Sequence, residues 1–536
     1  MGLGGGLDTV AAIQLLALPA GAVALAAVAR RRGWPAPLLL VVAGLLVSFV
    51  PGVPVYALDP EIVLLVFLPP LLYSAALDSS YQRLRDVKRA IGLLSVGLVL
   101  FTTAVVGLVA HLLVPSLPLA AAFALGAIVA PPDAVAAVAV ARRLGLPRRV
   151  ITVLVGESLF NDATALTAYR VAIAAATGHG ITLLGGVGEF LYAAAGGLVI
   201  GLAVAWAVSQ VLARVRDALV ENTIMLMIPF GSYLAAEVVH ASGVISVVVV
   251  GLYVGNRMHR TGFGTRLLSD AVWRVTDFFL ETVVFALIGL QLHAIVMGVL
   301  DDEDPWTLAG YALAVFGAAV LARVVWVLPG TFLPWALSRR VRARESRPPW
   351  AEATIISWAG MRGVVSLAAA FAIPEDFPGR NLLLFLTFAV VIGTLLLQGL
   401  SFPALIRRLR VSTEREAYAD NLAEAGAQQA AARAGLERLE EVAQREGLAE
   451  LYPDILDQLR GKSERRTLNA WERLGGGTGP EGEETPGAVY RRLRREMLSA
   501  EREVFVRLRD ARRIDDEVLR RVMQELDFEE AILERP

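Results

Sequence analysis

From residue 9 to about residue 407 the chain reads as a succession of apolar runs of roughly 20 residues, separated by short polar loops. A run of that length crosses ~30 Å of hydrocarbon as an α-helix. The pattern predicts crossings near 9–30, 36–56, 60–77, 88–114, 118–142, 148–177, 183–213, 222–239, 242–256, 268–298, 305–335, 349–373 and 380–407. Within 222–256, the sequence His240-Ala241-Ser242-Gly243 suits either a tight turn between two short spans or a bend in one tilted helix. The expected fold is therefore an all-α polytopic membrane protein with about thirteen spans. The first run has no basic segment before it and Arg30, Arg31 and Arg32 after it, the reverse of a cleavable signal peptide, so it reads as a retained span.

The loops predict the orientation. Basic clusters follow the odd-numbered spans: Arg30–Arg32, Arg83 to Arg89, Arg142 to Arg149, Arg214 and Arg216, Arg257 to Arg266, Arg339 to Arg347, and Arg407 to Arg410. The alternate loops are neutral or acidic, as at Asp301-Asp302-Glu303-Asp304 and Glu375-Asp376. The positive-inside rule then puts the N-terminus outside and the C-terminal tail in the cytoplasm. Residues 1–410 form the expected membrane domain of an inner-membrane protein. Residues 411–536 read as a soluble helical tail: an Ala/Glu/Arg-rich helix, another near 448–470 and a third near 487–530, with a Gly-rich hinge near 475–487. Mixed charge of that kind marks a solvated helical face, with a regulatory or dimer-supporting role as the alternative.

Composition sharpens this picture. Hydrophobic residues make up 56% of the 536, and the mean hydropathy of +0.58 exceeds what a soluble domain carries. The net charge of −1 gives no reason to expect a nucleic-acid partner. The absence of cysteine excludes disulfides, thiolate metal sites and cysteine nucleophiles, and five histidines leave little for a His-built metal centre. No cofactor is expected.

Most spans carry no charge, so the exceptions are informative: an intramembrane charge is expensive and marks a pathway, relay or counter-ion. The fifth span contains Ala130-Pro131-Pro132-Asp133-Ala134. Consecutive prolines remove two backbone donors and should break the helix. Freed carbonyls beside Asp133 would form a hard oxygen environment suited to a small cation. The alternative is a kink with Asp133 capping the second half-helix. The sixth span carries Gly156-Glu157-Ser158-Leu159-Phe160-Asn161-Asp162. Ser158 and Asp162 share one stripe, which can face Asp133, while Glu157 and Asn161 share the adjacent stripe and can face another neighbour. A hydrogen-bond cluster without transport is the competing reading. In the twelfth span Arg362 sits between Gly360 and Gly363. An arginine at this depth needs compensation, and Glu157 is the expected partner; snorkelling is the alternative. Arg170 and Arg323 are expected nearer helix ends, snorkelling or structurally paired, with Glu237 and Glu281 as candidate buried partners. His240 and Asp78 are expected at membrane surfaces.

The fifth and twelfth spans, the two expected to be broken, are each the middle of a trio, four–five–six and eleven–twelve–thirteen. Seven spans separate them, so equivalent helices run in opposite directions and the trios would be inverted repeats. Paired broken helices of this kind point to a transporter's midplane site.

Four segments together resemble the sodium/proton exchangers of the monovalent cation:proton antiporter family: Phe67-Leu68-Pro69-Pro70-Leu71-Leu72, Pro131-Pro132-Asp133, Phe160-Asn161-Asp162, and Gly360-Met361-Arg362-Gly363-Val364-Val365-Ser366-Leu367. The resemblance covers nearly the whole membrane domain, with the motifs in order. It implies a homodimer in which a core domain carries ions past a dimerisation domain, and it implies a role in pH homeostasis. It implies Asp162 as the ion- and proton-binding carboxylate, with Asp133, Ser158 and a backbone carbonyl around Pro132 contributing. Glu157, Asn161 and Arg362 match the family's stabilising cluster. Asn161 stands where electrogenic relatives carry a second aspartate, which implies electroneutral one-for-one exchange. Some prokaryotic members have an acidic residue where this chain has Ser74, a departure that affects that part of the ion path.

The expected function is therefore exchange of Na+ (or K+ or Li+) for H+ at a shared carboxylate, Asp162. The ligand set suits all three cations alike. An intramembrane aspartyl protease would also use two carboxylates, but neither Asp133 nor Asp162 has a Gly-x-Gly-Asp context. A channel or ion-regulated sensor is the other alternative, separable from an exchanger by saturable counterflow.

Overall fold

The computed structural model describes residues 9–50, 64–177, 183–300, 304–343, 347–411, 414–472 and 484–533. Among these residues the regular structure is entirely helical, with no β-strand. Two compact units result, Met1–Val411 and Ser412–Pro536.

In the first unit α1 (Thr9–Arg32), α2 (Ala36–Ser48) and α3 (Leu68–Leu77) are followed by the short α4 (Tyr81–Asp86) and by α5 (Lys88–Leu113), which contains a π-helical turn at Leu93–Leu98. Next come α6 (Leu119–Val129), α7 (Ala134–Arg143) and α8 (Arg148–Ala176), then α9 (Leu183–Leu212), α10 (Ala218–Glu237), α11 (Gly243–Arg257) and α12 (Phe263–Leu300). The unit ends with α13 (Pro305–Leu337), α14 (Trp350–Trp358), α15 (Val364–Phe371) and α16 (Arg380–Leu409). Among the described residues six helices, α5, α9, α10, α12, α13 and α16, are long and apolar enough to cross a membrane. The 29-residue α8 has the length, but Glu157, Asn161 and Asp162 lower its hydropathy.

Exposed large apolar side chains line outer faces, including Leu198, Leu202 and Trp206 on α9 and Leu313, Leu321 and Val325 on α13. In water such faces would be a liability; against lipid chains they are the expected surface. Close approach needs small residues: a Cβ on Gly44 of α2 would lie 2.9 Å from the Gly289 Cα of α12, so those helices touch backbone to backbone.

Residues 222–256 form two helices. α10 ends at Glu237, His240 turns in the left-handed region at φ 58°, and α11 starts at Gly243. The Ser232 and Ser246 hydroxyls lie 2.7 Å apart across the hairpin.

The second unit contains α17 (Glu414–Arg445), α18 (Pro453–Glu472), α19 (Pro486–Asp510) and α20 (Asp516–Leu533). The single helix expected near 487–530 is thus two. Arg512 takes a left-handed conformation at φ 53°, and Arg513 N–H reaches back to the Leu508 carbonyl at 2.8 Å, a helix-ending turn. Leu498, Leu526 and Leu533 form the apolar contact of the resulting hairpin. Most of the Gly-rich segment 475–487 lies outside the described residues.

Candidate functional site

Two helical interruptions create the site. Pro131 and Pro132 have no N–H to give, and α6 stops at Val129 before α7 begins at Ala134. Residues 359–363 separate α14 from α15, with Gly363 extended at φ −139°, ψ −148°. The two interruptions meet backbone to backbone: Asp133 N–H donates to the Met361 carbonyl at 2.7 Å. A Cβ added to Gly363 would overlap the Asp133 carboxylate, so glycine is what lets the carboxylate sit there.

Four helix ends converge at this crossing, and each end leaves backbone groups without helical partners. Arg362, 1% exposed, serves the carbonyl ends. Its Nε donates to Val129 O, the last residue of α6, at 2.9 Å; Nη1 donates to Gly360 O, just beyond α14; and Nη2 donates to Ala319 O of α13 at 3.3 Å. A fixed positive charge thereby compensates the negative poles of two half-helices. Asp133 lies immediately before α7 and against Gly363 at the start of α15, so a negative charge sits at the two positive poles.

Arg362 therefore does not pair with Glu157, contrary to the sequence expectation. Glu157 acts on it only at a distance. The acid is held instead by Arg323, through Nη1–Oε1 at 2.5 Å and Nη2–Oε2 at 2.9 Å, with both side chains no more than 2% exposed. Arg323 Nε also donates to Ile356 O of α14 at 3.1 Å. Arg323 is thus a mid-helix residue of α13 tying α8 to α14, not a snorkelling end residue, and neither Glu237 nor Glu281 is its partner. Arg170 does pair with Glu237, at 2.9 Å and partly exposed.

Asp162 is 5% exposed on α8 and interacts electrostatically with Asp133. Among the described residues it has neither a hydrogen-bond donor nor an ion-pair partner. Asn161, 0% exposed, donates from Nδ2 to Pro132 O at 2.9 Å, while its Oδ1 is buried without a partner. Both stripes of α8 therefore serve the crossing: the Asn161 amide reaches the break that was expected to be faced by Ser158 and Asp162 alone. Ser158, one helical turn before Asp162, is half-buried. The Pro132 carbonyl keeps a second lone pair besides the one engaged by Asn161.

Sequence reasoning missed Asp277. Ser74 Oγ on α3 donates to Asp277 Oδ2 on α12 at 2.5 Å, so a carboxylate stands beside the serine although none occupies position 74 itself. Glu281, one turn further along α12, interacts electrostatically with both Asp133 and Asp277, and Asp277 in turn with Asp78. A file of carboxylates thus runs from Asp162 through Asp133, Glu281 and Asp277 to Asp78. The i,i+4 spacing of Asp277 and Glu281 in an apolar helix was the available signal.

Residues 16–408 match the sodium/hydrogen exchanger transmembrane family. An uncharacterized Na+/H+ exchanger of Mycobacterium tuberculosis is 34% identical over 93% of this chain and 92% of its own length. A sodium, potassium, lithium and rubidium/H+ antiporter of Bacillus subtilis is 32% identical over 69% of this chain and 58% of its own. The Na+/H+ antiporter NhaP of Pseudomonas aeruginosa is 33% identical over 65% and 81%. Among solved structures, the sodium proton antiporter of Methanocaldococcus jannaschii at pH 8 superposes with a TM-score of 0.58 at 19% identity, covering 74% of this chain and 98% of that one.

Proposed function

Because the chain belongs to the sodium/hydrogen exchanger transmembrane family, a family of integral membrane transporters and not of enzymes, we propose that it exchanges Na+ for H+ at Asp162. K+ and Li+ are further candidate cargo, on the pattern of the Bacillus subtilis relative's name. The observation that carries the proposal is the crossing itself: two interrupted helices joined by Asp133 N–H to Met361 O, with Asp162 buried beside them.

In this reading α6–α7 and α14–α15 are the broken fifth and twelfth spans of about thirteen, in inverted repeats. Fixed charges support the crossing: Arg362 donates to the carbonyl ends, and Asp133 places negative charge at the amide ends, beside the cation's path. Asp162 is different. A buried carboxylate with no fixed cation is tolerated only when something neutralises it, and a proton or a monovalent cation does so equally well. The two compete, and only a loaded carboxylate crosses. One H+ or one Na+ per Asp162, with the neutral Asn161 beside it, makes exchange electroneutral. Ser158 and the free lone pair of the Pro132 carbonyl supply neutral oxygens to the cation, and the Asp277–Glu281 file draws it in from the side carrying the basic loops. Alternating access, a homodimeric assembly, an external N-terminus and a cytoplasmic tail complete the proposal for the inner membrane, where such exchange would serve pH homeostasis.

Everted membrane vesicles loaded with a pH dye provide the test. Sodium, and then potassium or lithium, should dissipate an imposed proton gradient with the wild type and fail to do so with Asp162→Asn, at equal amounts of folded protein. Near-normal exchange by Asp162→Asn would remove the carboxylate from the mechanism.

A further inference from the structure

Gln398 of α16 is 0% exposed, and among the described residues no group reaches either end of its side-chain amide: Nε2 and Oε1 are both buried without a hydrogen-bond partner. Its neighbours along the helix show what it faces. Thr394 precedes it by one turn and Ser401 follows it by three residues, so the three share one stripe. That stripe lies against the interruption between α14 and α15. Thr394 Oγ1 accepts from Arg362 N–H at 3.1 Å, and Ser401 Oγ accepts from Trp358 Nε1 at 2.8 Å. Gln398 stands between these two anchors, and therefore alongside Ala359, Gly360 and Met361, which connect them.

A carboxamide buried without partners is costly, because it loses water at every donor and acceptor position and recovers no hydrogen bond. The surroundings define what can satisfy it. Leu395, Phe402 and Met361 are buried in one apolar cluster around this part of α16. Gly399 keeps space open there: outside its own helix, a Cβ placed on it would meet only Met361 Sδ within 4 Å, at the ordinary contact distance of 3.5 Å. An ion of either sign would use one end of the amide and strand the other. A cation would also meet the positive charge of Arg362, whose Nη1 donates to Gly360 O. A small neutral molecule that both donates and accepts answers both ends, and water is that molecule.

We propose that Gln398 holds a buried water in the space that Gly399 leaves against Met361, and that this water hydrates residues 359–361 from the α16 side. A single water can close a ring with the amide, donating to Oε1 and accepting from Nε2, and its other hydrogen is then free for a backbone carbonyl of the interruption. Such a partner suits a segment that belongs to no helix, because the water can pass from one carbonyl to the next while the amide retains it. The site uses none of the carboxylates and is independent of which cation is carried.

Synchrotron radiolysis of the full-length protein in lipid nanodiscs tests the site, because hydroxyl radicals made from a bound water oxidise the side chains around it where bulk solvent does not reach. Met361 should be oxidised in the wild type despite its 1% exposure, while hydrogen peroxide added to the solution should leave it intact. Gln398→Leu should slow the radiolytic oxidation of Met361 by roughly tenfold, through loss of the amide that retains the water. Met497 of the tail, 55% exposed, should be oxidised at the wild-type rate and serves as the dose standard. Gly399→Ala, which fills the gap and keeps the amide, should give the same loss at Met361, and it carries the test if the leucine variant does not fold. A Met361 that radiolysis leaves intact in the wild type, or oxidises as fast in the variants, overturns the proposal. So does ready oxidation of Met361 by peroxide, which would mean that bulk solvent enters.

Discussion

Arginine–glutamate pairs occur in both units, and they do different things. Arg323 and Glu157 are sealed among α8, α13 and α14 at no more than 2% exposure. Arg494 and Glu529 join α19 to α20 through two contacts of 2.7 Å, but with 19% and 41% exposure. Water can replace the outer pair almost completely. Nothing replaces the inner one, so each partner is held by the cost of stranding the other. The comparison teaches that the membrane unit's charges specify which helices meet, while the tail's charges decorate a contact that Leu498, Leu526 and Leu533 already make.

The largest effect should come from breaking the inner pair on one side. Arg323→Ala or Glu157→Ala should cost about 3–5 kcal/mol and show as a collapse of folded yield in detergent. The double variant Glu157→Leu, Arg323→Met should recover much of the loss, because both charges leave together. A double variant as unstable as the singles would mean the pair acts through something other than mutual compensation.

A smaller but functionally severe effect is expected at the crossing. Gly363→Ala pushes a methyl into the Asp133 carboxylate and should cost roughly 1–3 kcal/mol by overpacking, with exchange falling more steeply than stability. Thermal unfolding and vesicle exchange measured on the same preparation separate the two. If both fall in proportion, the glycine is a packing residue only.

The smallest change is expected in the tail. Arg494→Ala should lose less than about 1 kcal/mol, read as hydrogen exchange in α19 and α20 accelerating by no more than about fivefold in the full-length protein. The Arg494 guanidinium holds the Glu529 carboxyl below its ordinary value. That contribution is fully present above the ordinary glutamate value of about 4.3 and is lost as pH falls through the lower folded-state value. Protection of α19 and α20 should therefore fall on acidification, and Arg494→Ala should flatten that pH dependence.

What the sequence made legible follows from contrast with an apolar background. Asp133, Asp162 and Glu157 stood out because little else in their spans is charged, and Pro131-Pro132 and Gly360/Gly363 marked where helices end. Partners across helices were not legible. A stripe on α8 gives the side of a helix but not the azimuth of α13, so Arg323, 166 residues from Glu157, could not be matched to it. Arg362 was assigned an acid because a reading of side chains overlooks backbone; its partners are carbonyls at helix ends, which exist only once the breaks have been brought together. Asp277 escaped for the same reason: its significance lies in Ser74, 203 residues away.

Competition at Asp162 is the centre of the account, and its most direct measure is the apparent KM for sodium in proteoliposomes as pH is lowered equally on both sides. One proton displacing one cation predicts a KM that rises toward about tenfold per pH unit on the acid limb, with the maximal rate at saturating sodium restored. A sodium KM that stays constant while the maximal rate falls would place the proton and the cation on different groups, and would contradict a shared carboxylate.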